Sequence, residues 1–413
     1  MEKLYIITSG YPFAPGEKPF LLTELRELSK KYDVTLFSRA QGERDAELPD
    51  NVKAVRLGNK TGKIRAAWYT LKAFLSPDFS RETEKIKKSG ENVRQKKKAC
   101  LIHFIIAAQY ASQMRAQFRK LGRPDIVYPY WGNAALTGMA LTRRRRDKWK
   151  LISRCHGFEL YTERAQYGYQ PFRHVVDRKI DAMYLVCRAG YDYYRLNWSV
   201  SEPPVCHLSY IGSSNEYGVQ PYEPSDTLRL VSCSNIVELK HIEKIIEAIA
   251  LSGIEKIKWT HYGTGGLEEK MKALAAEKLS GLDGVTYEFA GYVDNSALKK
   301  IYSETTFDCF LTASDSEGGA PVSIAEAMSF GVPVIATAAG GIPELVGSDN
   351  GYILPVDAQP EKIAEALRGF ASLTEEERLD MRKASRARWE SDFCAEENAR
   401  VFTLALGDVE RRR

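Results

Sequence analysis

The sequence predicts an α/β protein of two parallel-sheet domains, built from βαβ units and facing a central cleft. Three observations predict it. Short apolar runs alternate with longer helical patterns, the signature of parallel strands joined by crossover helices. Near the middle, the stretch 211–226 (IGSSNEYGVQPYEPSD) is rich in Gly, Ser and Pro and breaks that rhythm. Charge divides there too. Residues 1–200 hold 38 Lys and Arg against 20 Asp and Glu, a net of +18, while the rest hold 21 against 34, a net of −13.

In the first half, strands are expected at 4–8, 34–37, 126–128, 151–153 and 182–186. In the second half they are expected at 228–233, 257–261, 285–289, 308–311 and 333–337, with helices at 242–251, 267–279 and 296–303 between them. The domains read as 1–211 and 227–390, joined by a linker at 212–226. The last stretch, 375–413, is helical in character, with Trp389, Phe393, Val401 and Leu404 as packing residues. Open parallel sheets bind ligands beyond the carboxyl ends of their strands, so the cleft is the expected site.

Composition narrows the class. Hydrophobic residues make up 44% and charged residues 27% of 413, which excludes a disordered, collagen-like or disulfide-scaffold chain. The seven cysteines (Cys100, Cys155, Cys187, Cys206, Cys233, Cys309 and Cys394) are odd in number and include no Cys-x-x-Cys pair, as expected of free thiols in a reducing compartment. The amino terminus enters a strand pattern without signal-peptide anatomy. The most apolar run, 101–108, is far shorter than the roughly 20 residues that span a bilayer. A cytoplasmic protein is expected.

The richest segment for chemistry is 312–346, TASDSEGGAPVSIAEAMSFGVPVIATAAGGIPELV. It reads as a strand, a Gly-Gly loop, a helix starting near Pro321, and a second strand after Gly331. The free N–H groups and dipole of such a helix start suit a diphosphate. Glu317 and Glu326 bracket the loop. A lone glutamate there would be read as a helix-start charge, but the whole pattern argues for a ligand.

This segment resembles the donor signature of the retaining nucleotide-sugar glycosyltransferases of the family-4 group, which have the GT-B fold of two Rossmann-like domains. The resemblance implies that a C-terminal helix, 391–413, crosses back to the first domain. It implies that Glu317 lies near the donor sugar, that Glu326 binds the ribose, and that Gly318, Gly319, Ala320, Pro321 and Val322 face the diphosphate. Eight residues separate the glutamates where seven are usual, so Gly318 occupies the usual position of the first.

In SNIVELKH, Ser234 and Asn235 stand where the family has Gly-Arg, and Lys240 matches its lysine, implied to neutralise the leaving diphosphate. Gly263 in HYGTGG and Val293 in AGYVDNSALKKIY resemble segments beside the nucleotide. In the first domain, SRCHGFELY resembles a His-Gly-x-Asp element, making His156 a sugar-contacting residue and placing Glu159 where Asp is usual. The first βα loop, TSGYPFAPGEK, places Gly16 near donor phosphates or acceptor. Glu17, Trp131 and Glu159 are candidate acceptor contacts, with a core role the alternative for Trp131.

The resemblance implies a retaining glycosyltransferase that works without metal or cofactor, a nucleoside-diphosphate sugar serving as co-substrate. The Asp-x-Asp and His/Cys patterns of metal sites are absent from the sequence. Two basic stretches, 60–98 with a net of +8 and 143–150 (RRRRDKWK), suit an anionic membrane surface and a lipid-linked or oligosaccharide acceptor. A solvated face is the plainer reading of each. An epimerase or phosphorylase of the same fold and a non-catalytic partner subunit are the rivals. Nucleic-acid binding is not expected, because it leaves the donor segment unexplained.

Overall fold

A computed structural model describes residues 1–58, 62–202 and 204–412. The basic stretch 60–98 therefore opens on a residue, Lys60, outside the described ones. The chain forms two compact units, residues 1–209 with 399–413 and residues 210–398.

The first unit holds β1 (Lys3–Ile7), β2 (Asp33–Ser38), β3 (Lys53–Arg56), β4 (Ile126–Pro129), β5 (Lys150–Cys155), β6 (Ala182–Leu185) and β7 (Cys206–Leu208). All pair in parallel in the order β3-β2-β1-β4-β5-β6-β7. The second holds β8 (Leu228–Cys233), β9 (Ile257–Tyr262), β10 (Val285–Gly291), β11 (Cys309–Thr312), β12 (Val334–Thr337) and β13 (Gly351–Leu354), in the order β10-β9-β8-β11-β12-β13. Both orders reverse beside the unit's first strand, at β1/β4 and β8/β11. This is the Rossmann-like arrangement, and its switch points are where such sheets take ligands.

The strands form because both of their faces are covered. Along β1, Tyr5 and Ile7 pack into one core while Leu4 and Ile6 pack into another. Leu228 and Leu230 of β8 divide in the same way from Val231. Alternate side chains of a strand point to opposite faces, so near-continuous apolar runs mark a sheet buried on both sides. All ten expected strands are present. The three unannounced ones, β3, β7 and β13, are short edge strands, and β3 exposes or half-exposes each residue.

The stretch 212–226 packs into the second unit. Ser213 N–H donates to the Phe393 carbonyl at 2.9 Å, and the Gln220 side chain accepts from Phe307 N–H at 3.1 Å. Residues 399–413 group with the first unit, where Phe402 and Leu406 join the core of Leu4 and Ile6. Trp389 and Phe393 are buried as expected. Val401 and Leu404 are instead half exposed, because the helix Ala395–Asp408 turns Phe402 and Leu406 inward. Among the described residues, no helix is long and apolar enough to cross a membrane.

Candidate functional site

In the second unit, the chain leaving β8 and the chain leaving β11 meet at the switch point. Lys240 ends a short 3₁₀ turn, Glu238–Lys240, and its Nζ donates to Glu317 Oε1. The two loops are also tied through Asp315 N–H, which donates to the Leu239 carbonyl at 3.1 Å. The extra residue between the glutamates thus leaves the Glu317 carboxylate in reach of the lysine. The side chains of this pair retain 20% and 13% exposure, enough to meet a solute.

The loop 318–321 feeds the helix Val322–Ser329, whose N-cap is Pro321 and whose start carries no side-chain cap. Its first N–H groups are the ones a helix leaves without internal partners. Gly319 accepts from Gly341 N–H at 3.1 Å. Gly340 adopts a φ of +55°, and a Cβ there would overlap the Glu317 carbonyl oxygen. The Gly-Gly pair after β12 is what lets the loop lie so close.

Glu326 is buried one turn into that helix and accepts from Asn295 Nδ2. Burial lifts its carboxyl to about 7, while the Asn295 hydrogen bond and the charge of Lys299 pull the other way. Asn295 and Lys299 went unnoticed in the sequence. The signal was present in AGYVDNSALKK, where Asp294 caps the helix Asn295–Glu304 by accepting from Ser296 and Ala297 N–H.

Gly263, at φ +134°, has no room for a side chain against the Ser234 carbonyl, so the turn after β9 lies on the loop after β8. Asn235 is exposed and Val293 half-buried. His241, beside Lys240, is held between Glu243 at 2.6 Å and Asp315 at 3.1 Å. Burial opposes its charge, but the two carboxylates outweigh that and raise its pKa.

In the first unit, four candidates come together. Glu17 is buried and accepts from the N–H groups of Ser9 (2.9 Å), Gly10 (2.6 Å) and Tyr11 (2.7 Å) and from Trp131 Nε1. Its carboxylate therefore organises the first βα loop. Gly16 has open space around it. The Trp131 ring lies 4.2 Å from that of His156, which follows β5. His156 Nδ1 and N–H both bind Glu159 Oε1, at 2.9 and 3.0 Å. Burial alone would raise the Glu159 pKa, but the His156 ring and backbone hold it below the ordinary value. Glu159 thus orients the histidine from beneath.

The Glu17 arrangement carries a stability prediction. Glu17→Gln is expected to lower unfolding free energy by about 2 kcal/mol, since one amide oxygen cannot accept from the four donors that the buried carboxylate serves. Chemical denaturation checks it. An unchanged midpoint would show that the loop holds without the carboxylate.

Among the described residues, no group of three His, Cys, Asp or Glu side chains is placed to hold a metal ion.

Residues 215–388 match the family described as glycosyl transferases group 1. The chain is 24% identical over 319 residues to the putative colanic acid biosynthesis glycosyltransferase WcaL of Escherichia coli K12, covering 75% of this chain and 74% of that protein. It is 29% identical over 174 residues to the amylovoran biosynthesis glycosyltransferase AmsK of Erwinia amylovora, covering 40% and 41%. Among solved structures, the lipopolysaccharide outer core galactosyltransferase WaaB superposes with a TM-score of 0.70 at 13% identity over 98% of this chain and 99% of that one. HepE of Anabaena, in complex with UDP and glucose, gives 0.66 at 15% over 98% and 100%. At these identities the structural likeness speaks for the fold, which is GT-B.

Proposed function

We propose that this chain, whose residues 215–388 match the glycosyl transferases group 1 family, is a retaining hexosyltransferase. It takes a nucleoside-diphosphate sugar as donor and serves the synthesis of a surface polysaccharide or related glycoconjugate. The observation that carries this reading is the Lys240–Glu317 pair, held at the β8/β11 switch point beside the uncapped helix start at Pro321.

Each group then has a task. The diphosphate lies against the first N–H groups of helix Val322–Ser329, where the helix dipole favours anions. Lys240 neutralises the charge that grows on the leaving nucleotide. The Glu326 carboxylate accepts from the ribose hydroxyls, and Glu317 faces the sugar. The first unit, with His156 oriented by Glu159, takes a lipid-linked or oligosaccharide acceptor at an anionic membrane surface. The reaction needs no metal ion. WcaL and AmsK, named for polysaccharide synthesis, and the UDP and glucose held by HepE support this choice.

Product analysis tests the stereochemistry and the metal together. With an α-linked donor sugar and a membrane extract as acceptor source, we expect an α-linked product by NMR, formed at an unchanged rate in EDTA. A β-linked product or loss of the reaction in EDTA would contradict the reading. Asn235, standing where the resemblance calls for arginine, favours a second reading as a non-catalytic partner subunit. Nucleotide binding without turnover is its signature.

A further inference from the structure

The helix Lys63–Phe74 is apolar on two opposite sides. One side packs inward, with Tyr69 and Ala73 buried. The other carries Ile64, Trp68, Leu71 and, at the C-cap, Leu75, which are 88%, 50%, 57% and 74% exposed. At 100° per residue these four fall within about 60° of one another, so they form one outward stripe. Phe74, also exposed, widens it. A helix that only packs on its own domain carries polar residues on that side.

Cations border the stripe. Lys63 and Arg65 are exposed on its flanks, and Lys72 Nζ lies 3.4 Å from the centre of the Trp68 ring. Beside it a cavity of about 280 Å³ is lined by Trp68, Lys72, Asp78, Arg115 and Arg119 among others. Arg115 and Arg119 also line a second cavity of about 430 Å³, with Arg123, Arg144, Arg146 and one carboxylate, Asp147.

We propose that this face of the first unit docks on an anionic phospholipid bilayer. The stripe enters the boundary between headgroups and acyl chains, and the arginine-lined cavities take headgroup phosphates. An outward apolar stripe with flanking cations is the pattern of a helix lying in the membrane interface, and basic residues there are drawn to anionic lipid. A free phosphate would need the arginines but not the stripe. The proposal rests on the membrane reading above and gives it a location.

Vesicle co-sedimentation tests it. The full chain is expected to bind vesicles containing phosphatidylglycerol about tenfold or more tightly than pure phosphatidylcholine vesicles. Trp68→Glu/Leu71→Glu and Arg115→Glu/Arg119→Glu should each lose about tenfold or more, with thermal melts unchanged because all four positions are exposed. Excess inorganic phosphate should not displace the protein. Equal binding by wild type and variants, no preference for anionic vesicles, or displacement by phosphate would overturn the proposal. So would a wild-type dimer that becomes monomeric in Trp68→Glu/Leu71→Glu, since the stripe would then face a second copy. Nucleotide release from soluble donor, measured beside these, separates the two readings: its absence with vesicle binding intact would remove the donor reading alone.

Discussion

Lys240→Met is expected to lower kcat about 10²–10³-fold, the usual loss when one preorganised electrostatic donor is removed from a developing negative charge. The stem of the side chain is kept, so the 3₁₀ turn that carries it should persist. The charge is lost where it is least replaceable. Asn235 offers only a neutral hydrogen bond, weaker than a charge-assisted one, and the His241 ring is turned to Glu243 and Asp315. The substitution also leaves Glu317 without its cation, adding repulsion against the diphosphate. Because the pair is partly exposed, its removal should move the melting temperature little. Steady-state kinetics beside a thermal melt check both statements. A kcat within threefold of wild type would make Lys240 an ordinary loop cation.

Glu326→Gln is expected to do two opposite things. It should raise the donor KM about 10- to 100-fold, since hydrogen bonds from ribose hydroxyls to a charged acceptor are among the stronger ones. It should also stabilise the fold at alkaline pH. The folded carboxyl titrates at about 7 against an ordinary 4.5, because burial disfavours its charge. Below 4.5 both folded and unfolded chains hold the proton. Between 4.5 and about 7 only the folded chain does, so wild-type stability falls as pH rises through that window. The amide has no such cost, and the variant should exceed wild type by up to about 3 kcal/mol at pH 8 and match it near pH 4.5. Denaturation at the two pH values measures this. Donor KM of the wild type should fall as pH rises from 6 to 8, as the carboxylate forms. Equal stability of the two proteins at pH 8 would refute the buried-charge account.

The central strands were legible because a sheet covered on both faces favours runs of apolar residues. Leu4–Ile7 and Cys309–Leu311 are apolar for that reason. The missed strands carry weaker demands. Lys53–Arg56 lies at a sheet edge with charged ends, and Gly351–Leu354 opens on a glycine because a Cβ there would overlap the Val334 carbonyl. Lys240 and Glu317 were found through a linear pattern, yet their ion pair joins positions 77 residues apart. Asn295 and Lys299, which tune Glu326, sit on a helix whose link to the donor segment exists only in three dimensions. Glu17 shows the converse. Its place in a Gly/Pro loop suggested a ligand contact, whereas the fold spends its oxygens on three backbone N–H groups and the Trp131 indole.

The central claim is that the switch point of the second unit holds and cleaves a nucleoside-diphosphate sugar. The most direct test is release of free nucleotide from a panel of UDP-, GDP-, ADP- and CDP-sugars by wild type, Lys240→Met and Glu326→Gln, with membrane extract as acceptor source. The account predicts release from one donor by the wild type, a large fall in kcat for Lys240→Met, and a raised KM for Glu326→Gln. Absence of both release and nucleotide binding across the panel would contradict it.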